Sequence, residues 1–158
     1  MSQPEYSIST DRSRFDLELI CKFLTNCYWA KGVPRHIVQR SIENSLCFGV
    51  FTGNRQVGFA RVVTDYATYA YMGDVFIIES HRGQGLSKRL MEKIIEHPQL
   101  QGLRRWSLVT RDAHGLYEQF GFTPLAAPEK YMELHNPNVY KRPGRKAETN
   151  SRKQIIGN

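Results

Sequence analysis

The sequence predicts a mixed α/β domain, a central and mostly antiparallel sheet flanked by helices. Three observations carry this. An apolar hairpin spans residues 46–64, a strand-like run over 70–78 leads through a glycine turn into an amphipathic helix, and a further strand pattern covers 103–110. The order of periods is β-α-α-β-β-β-α-β-α-β-β, with one βαβ crossover between the 70–78 and 103–110 strands.

The elements follow from local chemistry. Residues 6–9 suit a short first strand, and Thr10, Asp11, Arg12 and Ser13 a turn. Leu17, Ile20, Cys21, Phe23 and Leu24 form a helical stripe within residues 15–27. Gly32 and Pro34 then break the helix and leave Tyr28 and Trp29 in a loop, where such aromatics either cover the core or belong to a binding surface. Residues 35–44 form a second helix with Ile37, Val38, Ser41 and Ile42 inward. Gly53-Asn54 between the two hairpin runs suits a tight primed turn. Leu86, Leu90, Met91, Ile94 and Ile95 share one face of a third helix, opposite Lys88, Glu92, Lys93 and Glu96, and Pro98 stops it. Residues 113–119 form a short helix that Gly121 ends, with Asp112 as its expected N-cap. Residues 122–124 and 131–134 are the expected last two strands.

A chain of 158 residues is expected to form one domain, residues 1–135, followed by a tail, 136–158. Six basic tail residues against Glu148 give the tail a net +5 of the chain's +7, which leaves +2 for the body. The basicity therefore belongs mainly to a polar, solvated tail, with a docked arm or a contact to a partner subunit as the other readings; a homodimer stays open. The body shows no nucleic-acid reader motif, which argues against a nucleic-acid partner. No apolar run reaches the roughly 18–20 residues of a membrane span, and no leader pattern opens the chain. Cys21, Cys27 and Cys47 form no C-x-x-C pair and read as free thiols of a reducing compartment, so a cytoplasmic location is expected. The five histidines lack zinc-ligand spacing, and no metal is expected.

The stretch from Val75 to Leu90 is the chemical centre. Strand, glycine turn and helix start leave unpaired N–H groups at the positive end of a helix dipole, a phosphate site made of backbone. A Walker A loop is excluded because no Lys-Ser/Thr follows the second glycine. A dinucleotide fingerprint is disfavoured because Lys88 stands where its third glycine belongs. Arg82-Gly83-Gln84-Gly85-Leu86-Ser87 instead fits [QR]-x-x-G-x-[GA], with Ser87 in the last place. Some thirty residues on, Ala113-His114-Gly115-Leu116-Tyr117-Glu118-Gln119-Phe120-Gly121-Phe122 carries an A-x-x-L-Y-x-x-x-G-F pattern.

Together these motifs resemble the GNAT superfamily, the Gcn5-related N-acetyltransferases that use acetyl-CoA. The resemblance covers residues 73–124. It departs at Ser87, which replaces Gly or Ala, and at the asparagine often found before the tyrosine helix. It implies fourth and fifth strands that splay apart, with acetyl-CoA between them. Backbone amides over residues 82–87 would take the diphosphate, with charge from Arg82, Lys88 and Arg89. The residues so assigned are Arg82, Gly83, Gln84, Gly85, Leu86, Ser87 and Lys88. Backbone groups of Val75, Phe76 and Ile77 would pair with the pantetheine arm and polarise the thioester carbonyl. Tyr117 would protonate the leaving thiolate. The base is expected to be Asp74 rather than Glu79 or His114, with proton removal through water as another route. Tyr28 and Trp29 would help to bind the acceptor, a small-molecule or peptide amine. The rival readings are a catalytically silent acyl-CoA-binding module and a nucleic-acid-associated protein.

Overall fold

The computed structural model describes residues 3–141. Its sheet has five strands in the order β1 (Tyr6–Ser9), β2 (Leu46–Thr52), β3 (Arg55–Thr64), β4 (Tyr69–Ile77) and β5 (Arg105–Leu108). The first four strands pair antiparallel and β4 pairs with β5 in parallel. The helices are α1 (Leu17–Asn26), α2 (Arg35–Glu43), α3 (Leu86–Ile95) and α4 (His114–Glu118). The expected mixed, mostly antiparallel sheet flanked by helices is thus the observed one.

Local signals account for these bounds. Asp16 caps α1 by accepting from the Leu19 N–H. Gly53, at φ 56, opens the two-residue turn between β2 and β3. Gly85, at φ 73, is the residue from which α3 starts.

Each face of the sheet has its own core. Val50, Val57, Val62 and Met72 pack with Leu90, Met91 and Ile94 of α3. On the opposite face Ile20, Leu24, Val38 and Ile42 of α1 and α2 cover Cys47, Phe59 and Phe76. One irregularity links these layers to the site. Phe59 pairs with Phe76 and Arg61 with Gly73, so Asp74 and Val75 of β4 stand opposite the single residue Ala60. This β-bulge flips the alternation of β4: Met72 faces α3, whereas Phe76 turns to the α1–α2 side.

Two sequence expectations fail here. Residues 122–124 and 131–134 are not strands, and among the described residues β5 pairs only with β4. Apolar alternation makes a strand only where a neighbour accepts its hydrogen bonds, and Pro124 and Pro128 supply no N–H. Met132 and Leu134 are left 98% and 103% exposed. Asp112 likewise does not cap α4. The residue flanking that helix is Ala113, whose N–H donates to Thr110 Oγ1 at 3.0 Å. That bond lies ahead of the helix, and no side chain caps α4.

Residues 136–141, the described start of the expected tail, return to the α1–α2 connection, and Tyr140 packs against the core on that side. The rest of the tail lies outside the described residues.

Candidate active site

The site begins where β4 and β5 part. Their pairing runs from Tyr69 with Arg105 to Met72 with Leu108 and goes no further. Beyond it, Gly73 through Ile77 flank a cleft of about 770 Å³ whose far wall includes Val109, Thr110, Ala113 and Tyr117. The bulge at Asp74 and Val75 falls at this parting. A strand that no longer pairs on one side presents its backbone groups to whatever enters the gap.

The glycine loop closes one end. Gly83 and Gly85 hold φ of 76 and 73, a region L side chains seldom occupy. Among the described residues, no backbone or side-chain acceptor takes the N–H groups from Gly83 to Lys88 outside the helix's own bonding. The loop is braced from outside. The Tyr6 hydroxyl lies 2.8 Å from His81 Nδ1 and donates to Gln84 Oε1 at 3.1 Å, and Arg89 Nη2 donates to the Tyr6 carbonyl at 3.1 Å. Arg82 turns its Nε back to the Ile77 carbonyl at 2.9 Å. A row of unclaimed amides at a helix start fits a diphosphate.

Tyr117 lies on α4 across the cleft, 8% exposed, its ring edge-on to Phe122. Its hydroxyl makes no hydrogen bond among the described residues. Burial, and next the nearby Tyr28 phenol, hold its pKa above the ordinary tyrosine value. The phenol therefore keeps its proton at neutral pH, the state a proton donor needs.

The other end of the cleft is built from side chains. Asp74, at φ 54, accepts from Arg61 Nε at 2.8 Å and from Trp29 Nε1 at 2.9 Å. The Arg111 guanidinium lies 3.9 Å from the centre of the Tyr28 ring. Glu133, His135 and Tyr140 line the cleft from the C-terminal segment.

Of the residues the sequence points to, Tyr28, Trp29, Asp74, Val75, Phe76, Ile77, Arg82, Ser87 and Tyr117 line one cleft. Gly83, Gln84 and Gly85 form the exposed loop at its end. Leu86 is buried in the core, so only its backbone faces the loop, and Lys88 is exposed without lining the cleft. Sequence reasoning missed Arg61, Glu133 and His135. Arg61 carries a readable signal, a lone charge within an apolar strand; Glu133 and His135 carry none.

Known proteins share this sequence pattern and fold. Residues 16–122 match the sequence profile of the acetyltransferase (GNAT) family. The chain belongs to that family. A Gibberella zeae protein assigned as an acetyltransferase is 29% identical over 136 residues, 72% of this chain and 76% of that one. A solved protein of Xanthomonas campestris pv. campestris, assigned as a GNAT-family acetyltransferase, is 52% identical. It superposes with a TM-score of 0.86 over 89% of this chain and 100% of its own. A Clostridium acetobutylicum protein, assigned as an acetyltransferase and solved with acetyl-CoA, is 14% identical with a TM-score of 0.61 over 84% of this chain and 96% of its own. That likeness concerns the fold alone.

Proposed function

We propose that this protein is an acetyl-CoA-dependent N-acetyltransferase that moves an acetyl group to a primary amine by direct attack in a ternary complex. The observation that carries the reading is the row of unclaimed amides beside a parted strand pair, with a protonated tyrosine on the opposite wall. In this reading residues 1–135 are one catalytic domain, to which the following segment adds Tyr140.

The amides from Gly83 to Lys88 hold the diphosphate, and Arg82 adds charge nearby. The pantetheine arm lies along Val75, Phe76 and Ile77, and a backbone N–H there polarises the thioester carbonyl. Holding both reactants in one cleft supplies the orientation term. Asp74 takes the ammonium proton, directly or through water, and the free amine attacks the carbonyl carbon. Tyr117 then donates its proton to the departing thiolate and regains one from the nitrogen, which sheds its extra proton as the amide forms. The acceptor, a small molecule or a peptide, enters between the Tyr28–Trp29 loop and the segment bearing Glu133 and His135.

The free thiols Cys21, Cys27 and Cys47 favour a reducing compartment, and we assign the protein to the cytoplasm. Among the described residues no helix is long and apolar enough to cross a membrane. For assembly we favour a homodimer, on the ground that Met132 and Leu134 are exposed and that, among the described residues, β5 has no partner but β4.

Thermal unfolding with acetyl-CoA tests the reading. At a hundredfold excess over Kd the gain is about 2.7 kcal/mol, a rise in Tm of roughly 5–10 °C for a domain of this size. Release of free thiol across an amine panel then finds the acceptor. No stabilisation by any acyl-CoA would overturn the proposal.

A further inference from the structure

Asp74 is the hub of a contact chain that neither the diphosphate loop nor Tyr117 requires. Its Oδ2 accepts from Arg61 Nε on β3, and Arg61 Nη1 reaches Ser45 Oγ at 3.3 Å. Its Oδ1 accepts the Trp29 indole N–H, which comes from the connection between α1 and α2. The Trp29 ring leans on Phe23, and Phe23 stacks on Phe76 of β4 at 3.9 Å. Next to Trp29, Tyr28 is covered by Arg111 from the connection that leads to α4. The aromatic loop is therefore pinned across the cleft at two points, one on each wall.

Two features make this more than packing. The Asp74 carboxylate is 11% exposed, and its bond to Arg61 is the only ion pair among the described residues; a charge that far from water must be partnered. Its backbone also sits at φ 54, a conformation that persists in a non-glycine residue only where the surroundings impose it. Trp29, by contrast, is 44% exposed, so water could satisfy its N–H. Instead that donor is committed to Asp74.

We infer that Trp29 and Arg61 are positioning residues that act through Asp74, so that its carboxylate is aimed at the acceptor only while the Tyr28–Trp29 loop lies across the cleft. Arg61 anchors one oxygen within the bulge. Trp29 sets the direction of the other and ties it to the position of the loop. An amine that holds the loop down thereby orients the carboxylate beside its own nitrogen, and binding is coupled to proton removal. Tyr71, Cys27 and Cys47 also lie around Asp74, and Glu133 and His135 line the same cleft from the C-terminal segment. Burial raises the pKa of Tyr71, Cys27 and Cys47, so each is neutral near pH 7. Arg61 and the indole N–H are the two groups that bond the carboxylate directly. The inference rests on the proposed role of Asp74 as proton acceptor.

The test is a kinetic cycle on the full chain, with Trp29→Phe, Asp74→Asn and the double variant assayed across pH, alongside Arg61→Lys and Arg61→Gln. Trp29→Phe is expected to lower kcat/KM for the amine about tenfold, the scale of a lost hydrogen bond to a charged group. The KM for acetyl-CoA should not move. The pH–rate profile of Trp29→Phe should differ from wild type, a readout that a merely structural role would leave unmoved. On the Asp74→Asn background the same change should cost almost nothing. Arg61→Lys should retain more activity than Arg61→Gln. Should Arg61→Gln fail to fold, the Trp29 cycle still decides. A full Trp29→Phe loss on the Asp74→Asn background overturns the inference and leaves the proton-acceptor role standing. A wild-type pH profile in Asp74→Asn overturns both.

Discussion

In the proposed reading the donor side of the cleft comes from one run of chain, Val75 through Ser87, with Tyr117 added from α4, and it works largely through backbone. The acceptor side gathers side chains from the α1–α2 connection, β3, the segment before α4 and the C-terminal stretch that carries Glu133, His135 and Tyr140. The first depends on φ angles and unpaired amides, so most side chains there are replaceable provided the glycines stay. The second depends on contacts between segments far apart in sequence, so it can change without disturbing the fold.

Substitutions on each side should therefore fail differently. The largest effect is expected from Tyr117→Phe, which removes the proposed acid from a site otherwise intact. Turnover should fall about a hundredfold or more, the scale of general-acid catalysis, while stabilisation by acetyl-CoA stays as it was. Wild-type turnover would take Tyr117 out of the mechanism. Next comes Gly85→Ala. No atom lies within 4 Å of where its Cβ would stand, so the cost is conformational, at φ 73. A strain of roughly 1–2 kcal/mol predicts a KM for acetyl-CoA raised about tenfold with little change for the amine. An equal rise for both substrates would show that the two sides are not separable.

A smaller effect should appear in stability at high pH, beneath the acceptor side. Burial pushes the Cys47 thiol up to about 12 from an ordinary value of 9.0. The folded chain keeps this proton where the unfolded chain has lost it. Stability from this source is thus intact below about pH 9 and falls as pH rises toward 12, by up to about 1.4 kcal/mol per unit. Urea unfolding at pH 8, 9 and 10 should show the slope, and Cys47→Ala should flatten it. The smallest effect on chemistry is expected from Leu134→Glu, which should leave the acetyl-CoA response unchanged and convert a dimer to a monomer in light scattering. A wild-type molecular weight identical to that of the variant would remove the proposed dimer surface.

Local patterns were legible because their causes are local. The α3 stripe of Leu86, Leu90, Met91 and Ile94 is the buried face observed, and Gly53-Asn54 does turn the hairpin. The positions of the Arg82–Ser87 loop and of the short helix bearing Tyr117 could be read because each is a contiguous pattern. The bulge was not legible, since a two-against-one register appears only once β3 and β4 are paired. The strands expected at 122–124 and 131–134 failed for the same reason: a strand needs a partner, and a single chain's pattern does not say whether one is present.

The sequence by itself determined the order of elements, the apolar helix faces, the glycine loop after β4 and the short helix that carries Tyr117, because each depends on residues within a few positions of one another. Tertiary structure alone decided the parting of β4 from β5 at Met72 and Leu108, the bulge that turns Asp74 inward, and the meeting of Trp29, Arg61 and Asp74. Those depend on the register between strands and on a loop more than thirty positions from its partner, and no periodicity in one stretch of chain records them.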